Sequence, residues 1–184
     1  MIHHHDLYFN THDIDWFFLS GNRLFHIASA GGILPEEIKS FDLEESYLYV
    51  VSRNLNISED LVTECLDGIL TGNTNVEVEV NKDYLNTSFT DNSDEEKKNY
   101  LRSFVEMALR GCYSFDRTKV EDPEDNLYHL VAWPHNDKKA DAIFPEANDY
   151  VKEFDINIDI AELKNNAEIN LIEKLKAQKS VVRK

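Results

Sequence analysis

DIDWFFLSGNRLFHIASAGG, residues 13–32, is the densest apolar segment of the chain and decides its architecture. Gly21-Asn22 between two apolar runs is a hairpin signal, because both residues tolerate the backbone angles of a tight turn. With that pair as the loop, the register follows by counting. Phe18 faces Phe25, Trp16 faces Ile27 and Ile14 faces Ser29 on one side of the ribbon. The other side carries Leu19 opposite Leu24, Phe17 opposite His26 and Asp15 opposite Ala28. Both sides are apolar near the turn, which predicts an interior hairpin of a larger sheet.

In this register Asp15 and His26 are diagonal neighbours across the strands. A carboxylate beside an imidazole orients it and raises its basicity, as general-base chemistry requires. A partly buried sheet also uses such a carboxylate merely to satisfy a histidine, and no nucleophile lies nearby in sequence.

Outward from the hairpin, local signals mark the other elements. Asp42 with Glu45 opens a helix to about Arg53, and Ser58 opens another that ends near Gly72. Val76–Val80 alternates strictly and reads as a half-buried strand, with Tyr84–Phe89 as its expected partner. Ser93 with Glu96 opens a helix that buries Tyr100, Leu101, Phe104, Val105 and Ala108 and ends at Gly111. Strands over Tyr113–Val120 and Leu127–Trp133 follow, joined by the acidic loop Glu121–Asn126 and stopped by Pro134. Phe154–Ile160 alternates and reads as a strand, and Ala161–Gln178 as a closing helix. The expected fold is α+β: a mixed or mostly antiparallel sheet built on the N-terminal hairpin, packed with about four helices. One domain over residues 1–184 is expected, with 1–12 as a flexible start and 179–184 as a flexible basic tail.

The 184 residues carry a net charge of −16, unevenly spread. Residues 173–184 hold five cations against Glu173, a local +4, which leaves −20 on the first 172. Such a field repels nucleic acid and anionic membrane and favours basic partners. No apolar run approaches the roughly 18–20 residues that span a bilayer. No basic stretch followed by an apolar block opens the chain, so a cytoplasmic location is the default. Cys65 and Cys112 lack metal-type spacing and read as small apolar fillers.

There is no Walker loop, GxSxG, HExxH or paired CxxC, so no cofactor is expected. The His-rich start offers only weak metal ligands in His3, His5 and His12. Asp155-x-Asn157-x-Asp159 lacks the turn glycine of a calcium loop and reads as the wet face of a strand.

Two functional readings follow. The first is a non-catalytic acidic binding protein, of inhibitor or immunity type, acting on a basic protein partner. Its contacts would be Glu77, Glu79, Glu121, Asp122, Glu124 and Asp125. The second is a small enzyme or ligand-binding protein whose site lies beside the first hairpin, drawing on His26, Asp15 and His129, with Asp116 as a further member, should the two hairpins adjoin in the sheet. The oligomeric state is left open.

Overall fold

The computed structural model describes residues 14–32, 34–39, 42–53, 57–73, 75–87, 93–122, 126–136, 144, 146–165 and 167–182. The hairpin forms in the register that its turn imposes. β1 (Asp15–Ser20) and β2 (Arg23–Ala28) pair antiparallel, with Phe18 opposite Phe25, Trp16 opposite Ile27 and Phe17 opposite His26. Of the two loop residues only Gly21 takes a positive φ, at +54°. That is the pattern of a II′ connection, in which glycine holds the first central position. Beyond the ladder, Ser29 N–H donates to Ile14 O at 3.2 Å, and Ile14 N–H donates to Ser29 Oγ at 2.9 Å.

Helices follow where their caps are written. After α1 (Glu36–Lys39), the Asp42 carboxylate caps α2 (Leu43–Ser52) by accepting from Glu45 N–H. Ser58 likewise caps α3 (Glu59–Thr71), and Gly72 ends it in the left-handed region at φ +76°. Ser93 caps α5 (Asp94–Leu109) by accepting from Glu96 N–H. Each such cap satisfies an otherwise orphaned amide and adds about 1 kcal/mol.

Three expectations are corrected. Tyr84 belongs to a helix, α4 (Lys82–Thr87), not to a strand. Asn81 decides this, since its side chain accepts from Tyr84 N–H at 3.2 Å and its carbonyl from Leu85 N–H at 3.3 Å. The partner of β3 (Val78–Val80) is instead β5 (Leu127–Pro134), which also pairs with β4 (Cys112–Arg117). Residues 154–159 keep the alternating burial of a strand but join no ladder beyond β6 (Lys152–Glu153). They run extended past the end of β1, where Phe154 N–H donates to Leu19 O at 2.8 Å. The closing helix is broken into α7 (Ile160–Leu163), β7 (Glu168–Asn170) and α8 (Leu171–Val182). Asn170 restarts it, its side chain accepting from Glu173 N–H at 2.9 Å. The remaining short helix is α6 (Ala147–Tyr150).

Among the described residues the seven strands form one sheet in the order β3-β5-β4-β2-β1-β6, with β7 also on β5. β2 pairs with β4 and β1 with β6, both parallel, so the hairpin lies inside the sheet as expected. The result is a mixed, largely antiparallel sheet packed with about four major helices.

One face buries Trp16, Phe18, Phe25, Ile27, Phe115 and Leu130 against the C-terminal segment, including Phe154, Leu163 and Leu171. The opposite face is covered by α3 and α5, and near the hairpin turn by α2. Asp15, His26, Asp116 and His129 all lie on this second face.

Among the described residues no helix is long and apolar enough to cross a membrane. Cys65 and Cys112 are buried free thiols, and burial pushes both thiol pKa values upward. Neither is primed as a nucleophile.

Candidate functional site

His26 points inward from β2, its ring between Phe17 (5.2 Å) and Phe104 of α5 (6.2 Å). Asp15, the cross-strand partner of Ala28, approaches diagonally, with Oδ1 3.3 Å from His26 Nε2. That contact is close in distance but off-line, so Nε2 keeps no well-directed hydrogen bond. On the other side of the ring, Ser114 Oγ stands 3.2 Å from Nδ1. Ser114 is the parallel partner of His26 on β4.

The bonding capacities favour one placement of the protons. A carboxylate only accepts, so in the neutral ring the proton belongs on Nε2, facing Asp15. Nδ1 is then the acceptor, and the Ser114 hydroxyl donates to it. Carboxylate, imidazole and hydroxyl form a line across β1, β2 and β4.

This line resembles an activated-nucleophile arrangement in composition, but access decides its use. Ser114 is 0 % and His26 1 % exposed, whereas the Asp15 side chain is 34 % exposed. The hydroxyl end is closed beneath α5 and the carboxylate end is open. A ligand arriving from solvent meets Asp15, not Ser114.

The open end has further walls. Tyr47 of α2 stands 6.4 Å from the Phe17 ring. Burial, then the charges of Glu106 and Asp15, raise its phenol pKa, while Arg110 opposes them. Asp15 and Glu106 thus both lie within electrostatic reach of Tyr47. Arg110 pairs with Glu106 at 2.8 Å and donates to the carbonyls of Val51 and Arg53 at the end of α2. It holds that helix end against α5.

His129 occupies a second cluster on the same face. Tyr100 donates to Asp116 Oδ2 at 2.9 Å and its hydroxyl lies 3.3 Å from His129 Nε2. Thr118 Oγ1 is 3.4 Å from Nδ1, and Tyr84 stacks on the ring at 3.6 Å. Burial lowers the His129 pKa to about 4 and, helped by Asp116, raises the Tyr100 phenol. Both groups are neutral near pH 7.

Asp15, His26, Asp116 and His129 therefore sit on one face of adjoining strands β1, β2, β4 and β5. They form two clusters with Phe104 between, its ring 6.2 Å from His26 and 5.3 Å from Tyr100. Tyr84, Tyr100 and Ser114 complete the clusters without having been singled out for either. Tyr100 carried only a core signal, and nothing local linked Ser114 to His26.

The acidic contacts proposed for a basic partner that fall among the described residues are not brought together. Glu77 is exposed and Glu79 pairs with His135 at 3.0 Å, both at the Pro134 end of β5. Glu121 and Asp122 are exposed at the other end of β5, about 20 Å away along the strand. Glu124 and Asp125, like His3, His5 and His12, lie outside the described residues. Asp155, Asn157 and Asp159 are exposed, and Asp159 caps α7. Among the described residues no group of three or more His, Cys, Asp or Glu side chains is placed to hold a metal ion.

Comparison of the chain with protein-family models, with curated proteins and with solved structures finds no match.

Proposed function

We propose that the chain is a ligand-binding protein whose site lies beside the first hairpin and takes a small cationic group. Asp15 is the contact, and His26, itself held by Ser114, positions it. The observation that carries this reading is the gradient of access along Asp15, His26 and Ser114, open at the carboxylate and closed at the hydroxyl. A buried imidazole 3.3 Å from a partly exposed carboxylate limits its orientations, which lowers the entropic cost when a cation docks. Tyr47 supplies an aromatic wall beside the carboxylate, and aromatic faces attract ammonium and guanidinium groups.

Isotope-labelled protein titrated with arginine methyl ester, phenethylamine and spermidine tests the reading. Saturable shifts at Asp15, His26 and Tyr47 with at least one of these cations are expected. Asp15→Asn should weaken that binding by about tenfold. Equal affinity in Asp15→Asn, or no saturable shift with any of the three, would overturn the reading.

The net charge favours a second reading, binding of a basic protein partner, through long-range attraction. It differs in its readout. Binding of a basic protein would fall steeply with added salt and be insensitive to Asp15→Asn.

A further inference from the structure

A groove of about 500 Å³ opens at the β3 edge of the sheet, away from Asp15 on β1. Its size falls in the range of about 300–1,000 Å³ that holds small organic ligands. Ile69, Val76, Val78 and Val80 give it an apolar wall, and Trp133 of β5 lines it from the sheet. Val76 is pressed against α3, where a Cβ on Gly68 would come within 2.5 Å of it.

The charged groups of the groove are unequally engaged. Glu79 is paired with His135 at 3.0 Å, and Asp83 has its own partner within the protein. Lys164 places its ammonium 5.0 Å over the Trp133 ring. Among the described residues neither Lys164 nor Lys82 has a carboxylate within ion-pair distance. Trp133 itself, 4 % exposed, keeps its indole Nε1 buried without a hydrogen-bond acceptor among the described residues.

Two lysines with no carboxylate partner among the described residues, one of them over an indole ring, and an apolar wall point to the same chemistry. We infer that this groove is a second binding site, for a small organic anion with an apolar or aromatic body and a carboxylate head. The body lies along Val76 and Val80, and the head meets Lys82 and Lys164.

Naphthalene-2-carboxylate is a suitable probe, with naphthalene-2-carboxamide as its neutral counterpart. The readout is the indole N–H resonance of Trp133, assigned with Trp133→Phe. The carboxylate should shift this resonance saturably below about 1 mM. Binding should weaken about tenfold in the Lys82→Gln/Lys164→Gln double variant, and by a similar factor for the carboxamide on the unaltered protein. Both lysines are exposed, so folding of the variant is readily confirmed by circular dichroism. Asp15→Asn should leave the affinity unchanged, which separates this site from the hairpin site. Equal binding of acid and amide, unaltered affinity in the double variant, or no saturable shift would each overturn the inference.

Discussion

Replacement of Phe25 by alanine is expected to remove about 3–5 kcal/mol of folding stability, the cost of emptying a large buried aromatic site. Phe25 is 1 % exposed on β2, the strand flanked by both β1 and β4. Its ring stacks on Phe18 at 4.8 Å and meets Tyr113 at 5.7 Å and Phe115 at 6.0 Å. Three strands therefore share one aromatic contact, and backbone pairing on either side prevents the space from collapsing. Against a total stability of about 5–15 kcal/mol, this loss leaves a marginal protein. Urea unfolding should show a large fall in midpoint at an unchanged slope. A loss below about 1 kcal/mol would show that the face relaxes freely and is not the folding core.

The second large effect is acid destabilisation through His129. Its folded pKa, about 4, lies below the ordinary histidine value of 6.5 because burial penalises the charged ring. The folded state therefore binds fewer protons than the unfolded chain between these values. Stability tied to this group is complete above pH 6.5 and is lost as pH falls from about 6.5 to about 4. Below that the folded state also takes up the proton, and the loss stops growing. The full loss is about 3 kcal/mol at roughly 1.4 kcal/mol per unit. Asp116, Tyr100, Thr118 and Tyr84 surround the ring, and Glu168 is its cross-strand partner on β7. His129→Gln keeps a polar side chain and removes the titration. Between pH 7 and pH 4.5 the unaltered protein should lose about 2–3 kcal/mol more than this variant in urea unfolding. Parallel pH profiles would contradict the assignment.

What could be read from the residues alone was what is decided locally. The Gly21-Asn22 turn fixes its neighbours by counting, so the hairpin register and the Asp15–His26 diagonal were both legible. Asp42, Ser58 and Ser93 announced their helices because a cap acts within three residues. The long crossover was not legible. β2 and β4 meet in parallel after a connection of more than eighty residues, and no local pattern states their register. Ser114 was missed for that reason. Alternation misled at Phe154–Ile160, because an extended segment packed on a sheet alternates its burial without joining a ladder. At Tyr84 the side chain of Asn81 outweighed the appeal of a hairpin partner. In the final segment, the helix ends at Leu163 and restarts at the Asn170 cap, within a pattern that Leu163, Leu171 and Leu175 otherwise sustained.

The proposed site requires Asp15, His26 and Ser114 to be one organised unit. Long-range proton–nitrogen correlation spectra of the neutral His26 ring test this directly. The expected result is a proton on Nε2, toward Asp15, and an unprotonated Nδ1 that accepts from Ser114 and whose resonance moves on Ser114→Ala substitution. A ring protonated on Nδ1 would instead donate to Ser114 and turn a bare lone pair toward the Asp15 carboxylate, and that result would contradict the account.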